Sequence, residues 1–293
     1  MNWVRPFSTF CFLDNQEYKL GPHSYECLVG AGILQEITGD TTEVLLQLNN
    51  SANWWMGHLG FELPTSTVGP VARKFPDRSG FSNLYFFEPA IVIKISEKSI
   101  SIFAENPEMV FEEIMQTEMA APSEIAITDV HCRLSKEEYL HKIQQLKAHI
   151  QRGDCYEINF CQEFFAENAQ IDPVAVFERL CEVSPNPFAA LYHVQDSWLL
   201  CASPERFLHK KGKRIISQPI KGTSPRNLSS AAEDAEAKAG LQQSAKDRAE
   251  NVMVVDLVRN DLARICEEGT VKVDELFGVY SFPQVFQMIS TIS

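Results

Sequence analysis

Residues 90–95 and 99–103 are two apolar runs separated only by Ser96-Glu97-Lys98. A gap that short closes an antiparallel hairpin, because a parallel return needs a crossover of roughly a dozen residues or more. Similar apolar runs stand at 10–13, 25–29, 44–48, 156–164, 187–192, 198–201, 271–273 and 285–290. Each is expected to be a strand. Strands grouped in hairpins with helices set between them predict an α+β molecule.

The helices have their own signals. Ser135 followed by Glu138 reads as a capping box, and Tyr139, Ile143, Leu146 and Ile150 then recur at helical spacing up to Gly153. Acidic and apolar residues alternate helically over 105–118, and 173–181 reads as a short amphipathic helix. Residues 231–264 are rich in Ala and charge and predict one long helix, or two in line. Its apolar stripe is read as Leu241, Ala245, Ala249, Val252 and Val255. Gly30-Ala31-Gly32 lacks a third glycine and a following helix, so it is read as a strand feature and not a nucleotide loop. The aromatic stretch 54–63 is read as core. The Ala-Pro-Ser run at 120–123 marks a linker within 119–133, which divides the chain into domains 1–130 and 131–293.

The chain has 293 residues, 45% of them hydrophobic, enough for a sizeable core. Its net charge of −13 and lack of a basic stripe argue against a nucleic-acid partner. No run reaches the ~18 apolar residues of a membrane span, and no leader pattern precedes the first strand. The eight cysteines contain no C-x-x-C pair, and most sit in apolar runs. They are expected to be buried free thiols of a cytoplasmic protein.

Three segments carry chemistry. They are Ser203-Pro204-Glu205-Arg206-Phe207, then Pro219-Ile220-Lys221-Gly222-Thr223, then a helix from Lys246 to Leu262 that contains Ala249-Glu250 and Arg259-Asn260-Asp261. Gly222 permits a backbone turn that other residues resist, and Pro219 and Pro225 stiffen its flanks. A lysine held there can serve as a nucleophile if its pKa is brought below the usual ~10.4. A lone Lys-Gly turn is otherwise an ordinary solvated turn.

In this order the three segments resemble the chorismate-utilising enzymes, and within them the aminodeoxychorismate synthase component I branch. The resemblance covers 135–293 firmly and 1–130 loosely. It implies two packed antiparallel sheets flanked by helices, with a further C-terminal part of the catalytic domain expected beyond Ser293. It also implies amination of chorismate at C4, giving 4-amino-4-deoxychorismate for p-aminobenzoate and folate synthesis. Lys221 would add to the ring, Glu205 would act as general acid, Gly222 and Thr223 would bind substrate, and Glu250 would ligate Mg2+. Asp256 and the Arg259-Asn260-Asp261 run would be structural.

Ammonia would come from a glutamine amidotransferase subunit, since the chain has no Gly-x-Cys-x-Gly elbow of its own. Glu157 stands where amine-using relatives have Gln and water-using relatives have Lys. Ser24, Pro187 and Phe188 fall where some relatives hold a tryptophan effector. The alternatives are anthranilate synthase component I, another chorismate enzyme, or a binding scaffold that turns nothing over.

Overall fold

The computed structural model describes residues 1–18, 25–61, 63, 77–118, 126–127 and 129–293. It separates into two compact units, 1–119 with 177–293, and 120–176. The first unit begins with β1 (Thr9–Asp14), β2 (Cys27–Ala31), β3 (Gln35–Ile37), α1 (Thr41–Asn50), β4 (Met56–Leu59), β5 (Leu84–Glu88), β6 (Ile91–Ser96), β7 (Ser99–Phe103) and α2 (Pro107–Gln116). The second holds β8 (His131–Cys132), α3 (Lys136–Arg152), β9 (Phe164–Phe165) and the start of α4 (Pro173–Val183). The first then resumes with β10 (Phe188–Val194), β11 (Ser197–Ser203), β12 (Arg206–Lys211), β13 (Arg214–Gln218), β14 (Ile220–Pro225), α5 (Ala231–Gln243), α6 (Ala245–Ala263), β15 (Val273–Ser281) and β16 (Val285–Ile292).

All strand pairs among the described residues are antiparallel. One sheet has six strands in the order β11-β10-β1-β2-β6-β7. Strands from both sides of residue 130 therefore share a sheet, and the units do not follow a division at that residue. The β6–β7 hairpin turns at Glu97-Lys98 as its spacing requires. A smaller sheet, β3-β5-β4, packs on the first. Cys11, Leu28, Val92 and Tyr192 of one meet Met56, Tyr85 and Phe87 of the other in a single buried cluster. A Cβ on Gly30 would collide with Met56 Sδ, so this strand glycine serves close packing.

The sheet that carries the site runs β12-β13-β16-β14, with β15 also paired to β16. Helices α5 and α6 cover it. Leu241 packs on Phe286 and Met288, while Val255 and Leu262 pack on Ile292. Each of these side chains is almost fully out of water, and burying one contributes roughly 1.5–3 kcal/mol before entropy is counted.

Several local expectations change. Residues 44–48 belong to α1, not to a strand, because Asp40 accepts hydrogen bonds from the N–H groups of Thr42 and Glu43 and caps a helix there. Of residues 156–164, only Phe164 enters a strand. Residues 156–163 lie outside the strands, although Glu163 O accepts the Arg133 N–H at 2.9 Å beside the short β8–β9 pair. The last strand pair begins at Val273, with Val271 packed beside it.

The long helix is two helices. Ser244 closes α5 and caps α6, accepting a hydrogen bond from Asp247 N–H at 3.3 Å. The inward positions of α6 are Asn251, Val255 and Leu262, so Ala245, Ala249 and Val252 do not form its buried stripe. Trp54, Leu59 and Phe61 are exposed: Leu59 is on the outward face of β4, an edge strand, and the other two lie beyond its ends. Only Cys11 and Cys27 are buried; Cys132 and Cys161 are exposed, and the other four are half-buried. The capping box of α3 and its end at Gly153 in the left-handed region are as read. The linker run 120–123 lies outside the described residues. No helix among those described is long and apolar enough to cross a membrane.

Candidate functional site

Lys221 lies in β14, where the ladder with β16 is irregular. Ile220 stands opposite Ile289 and Thr223 opposite Gln287, so Lys221 and Gly222 together face Met288 alone. Two residues against one is a β-bulge, which bends the strand and re-aims the side chain it carries. The expected turn is therefore a bulge, and the strand continues to Pro225. Gly222 makes it possible with a left-handed φ of 97°. A Cβ at this glycine would lie 3.0 Å from Asp247 Cβ and 3.3 Å from Leu241 Cδ1. The glycine thus also lets the first turn of α6 rest directly on the strand.

Glu205 sits in the exposed bend between β11 and β12. Ser203 Oγ accepts the Glu205 N–H at 3.2 Å and holds the bend. Glu205 Oε1 accepts the N–H of Ile220 at 3.1 Å. The carboxylate is thereby tied to the amide next to Lys221, fifteen residues away in sequence from its hydrogen-bond donor. Its neighbour Arg206 does not pair with it. Arg206 Nε donates to Gln218 Oε1 at 2.9 Å, and Gln218 Nε2 donates to Thr291 Oγ1 at 3.1 Å. This chain of side chains anchors the Ser-Pro-Glu-Arg-Phe bend across β13 and β16. Burial holds the Arg206 guanidinium below its ordinary pKa.

Thr223 is exposed and its hydroxyl donates to Gln287 Oε1 at 2.6 Å across the ladder. Beyond Pro225, Arg226 grips Asp234 of α5 with two nitrogens, at 2.7 and 3.2 Å. That hydrogen bonding holds the Asp234 carboxyl below its ordinary value of 3.8.

Glu250 is on α6, half-buried, with Lys246 Nζ at 3.7 Å one turn earlier. No three His, Cys, Asp or Glu side chains among the described residues come together as a metal site. Glu250 alone supplies one carboxylate, whereas magnesium is octahedral and needs other oxygens. These residues do not by themselves fit a magnesium site. Asp256 and Arg259 pair with each other at 2.8 Å on the exposed side of α6.

Pro187 is buried, and the Phe188 ring is covered by the Arg206 guanidinium at 4.9 Å. Ser24 lies outside the described residues. Glu157 is exposed and belongs to the second unit.

One residue escaped the sequence reading. Asn251 is 1% exposed, and its side-chain N–H groups donate to Lys221 O and Met288 O, both at 3.3 Å. A signal for it existed: Asn251, Val255 and Leu262 share a helical phase, so a polar residue occupies an inward position.

The antiparallel sheets, with α5 and α6 laid across the one that carries the lysine strand, form an α+β fold that chorismate-utilising enzymes share. The structure superposes on anthranilate synthase component I from Streptococcus pneumoniae TIGR4 with a TM-score of 0.72, covering 94% of this chain and 71% of that one at 19% identity. It matches the menaquinone-specific isochorismate synthase of Escherichia coli with a TM-score of 0.72, over 99% of this chain and 66% of that one at 15% identity.

Residues 21–293 match the model of the chorismate binding enzyme family, and the chain belongs to that family. It is 34% identical over 209 residues to aminodeoxychorismate synthase component 1 of Escherichia coli strain K12, which is 71% of this chain and 46% of that protein. The protein of the same name from Salmonella typhimurium is 44% identical over 156 residues, 53% of this chain and 34% of its own. The chain spans about half the length, or less, of these curated relatives.

Proposed function

We propose that this chain aminates chorismate at C4 to give 4-amino-4-deoxychorismate, with Lys221 as a covalent catalyst. The observation that carries the reading is the bulge. It sets a lysine aside from the regular ladder, with the Glu205 carboxylate bonded to the preceding amide. The similarity to aminodeoxychorismate synthase component 1 supports the choice of reaction.

Hydroxide leaves poorly, so direct replacement of the C4 hydroxyl is slow. In the proposed route the neutral Lys221 amine adds at C2 of the ring and the double bonds shift. The C4–O bond breaks, and Glu205 gives its proton so that water departs. Ammonia then adds at C4, the double bonds shift back, and the C2–N bond to Lys221 breaks. A proton lost from the incoming ammonia restores neutrality. The acid role requires Glu205 to carry its proton when the C4–O bond breaks.

The ammonia source in this proposal is a glutamine amidotransferase partner. Gly222 and Thr223 would line the ring's path. Glu250 enters as one oxygen ligand for magnesium, and no step is routed through the metal. A tryptophan effector at Ser24, Pro187 and Phe188 belongs to the same proposal; a titration with tryptophan that leaves thermal stability unchanged would remove it.

Incubation with chorismate, magnesium and ammonium, followed by chromatography and mass analysis, tests the reading. It is expected to give 4-amino-4-deoxychorismate, and Lys221→Ala is expected to lower the rate about 100-fold or more. Product formation undiminished in that variant would remove the covalent role. Anthranilate in place of the amino product would reassign the chain to the alternative reaction.

A further inference from the structure

The bulge that re-aims Lys221 also breaks the ladder, and backbone groups at a broken ladder must find other partners. Asn251 supplies them for both carbonyls at the break, Lys221 O on β14 and Met288 O on β16. A second bulge lies on the other side of β16. Glu275 stands opposite Thr291 and Gly278 opposite Ile289, so Leu276 and Phe277 together face Ser290. Phe277 has a left-handed φ of 61°. Its N–H donates to Ser290 Oγ at 3.1 Å, and the Ser290 hydroxyl donates to Asn251 Oδ1 at 2.6 Å.

The hydrogen bonds therefore run in one direction, from Phe277 through Ser290 to Asn251 and on to Lys221 and Met288. The direction fixes which end of the Asn251 amide faces the lysine strand, because only the nitrogen can donate to two carbonyls. Ser290 is fully buried, so water does not substitute for either partner.

We propose that Asn251 is a positioning residue whose side-chain amide bridges the two strands at the bulge and fixes the direction of Lys221. This rests on the role given to Lys221 above. The Asn251 amide couples α6 to the lysine strand by a hydrogen bond to the Lys221 carbonyl, and the residue, next to Glu250 in sequence, carries almost no surface of its own. A displacement of about 1 Å at a reacting group can cost ~100-fold in rate.

The test compares Asn251→Ala with Val255→Ala. Val255 is buried one turn further along α6, in a cluster with Leu262 and Ile292 that includes no residue of β14. Both variants lose stability, and both are assayed where circular dichroism shows them folded. Asn251→Ala is expected to lower kcat about 100-fold with little change in KM, while Val255→Ala keeps the wild-type kcat.

A second readout needs no turnover. Acylation of Lys221 by acetic anhydride is followed by peptide mass from about pH 6 to 10. The rate-against-pH profile is expected to move in Asn251→Ala and to stay in Val255→Ala. Equal kcat and equal Lys221 profiles in the two variants would overturn the proposal. If Asn251→Ala does not fold, Ser290→Ala takes its place, and an unmoved Lys221 profile there overturns it equally. Wild-type chain that makes no amino product would sink the function reading, and the acylation comparison would still decide the role of Asn251.

Discussion

Gly222 meets two demands at once. Its φ of 97° is in the region that other residues enter at a cost, and the space where a side chain would begin is taken by Asp247 and Leu241. Gly222→Ala would add backbone strain of about 1–3 kcal/mol and push α6 off the strand. The midpoint of urea unfolding is expected to fall with the slope unchanged. A midpoint equal to wild type would mean that the bulge relaxes without effort. At Lys221, by contrast, a substitution leaves the backbone carbonyl's bond to Asn251 in place. Activity and stability are expected to separate at these two adjacent positions.

At the scale of elements, two devices hold the helices on the lysine strand. Ser244 ends α5 and starts α6, so one residue sets the junction of both. Ser244→Ala is expected to cost about 1 kcal/mol, read as a lower unfolding temperature, with no change in product identity. The second device is the clamp from Arg226 to Asp234, which joins the end of β14 to the first turn of α5.

Asp234 has a folded pKa below the ordinary 3.8 because Arg226 bonds to its charged form. The clamp therefore stabilises the fold fully above that ordinary value and stops doing so as pH falls through 3.8 towards the lower folded pKa. Unfolding temperature measured across this acid range is expected to drop, and to drop less in Asp234→Asn. Equal slopes in the two proteins would exclude the clamp as a source of the acid loss.

On the scale of the whole molecule, the thiols report how the chain is packed. Cys11 and Cys27 lie in β1 and β2, in the middle of the six-stranded sheet, and burial pushes both thiols up to about 12. Thiolate is the reactive form, so these two should be inert in the native protein. Cys132 and Cys161 are exposed. Reaction with a disulfide reagent at neutral pH is expected to label these two quickly, and to reach Cys11 and Cys27 only in denaturant. Fast native labelling of Cys11 would contradict the strand order.

The residues of the proposed site were legible because they lie in short continuous segments. Ser-Pro-Glu-Arg-Phe, Pro-Ile-Lys-Gly-Thr and the Lys246–Leu262 helix each carry their own local pattern. The β6–β7 hairpin and the capping box of α3 were legible for the same reason: a short gap and a cap act within a few residues. What failed to be legible depended on distant partners. Residues 44–48 look equally like strand or helix until the cap at Asp40 decides, and 156–163 need a neighbouring strand that periodicity cannot supply.

The bulge belongs to this second group. An extra residue is defined only against the strand it faces, and β16 is more than sixty residues further along the chain. Asn251 follows from it, since a buried amide on α6 has meaning only once two broken ladders lie beneath it. The class of fold and the family, with the segments that carry the proposed lysine, glutamate and glycine, could be read from the amino-acid order, because these are properties of local chain. The tertiary structure alone decided where the lysine is aimed and what holds it, because hydrogen-bond accounting at a bulge is settled between strands and not within one.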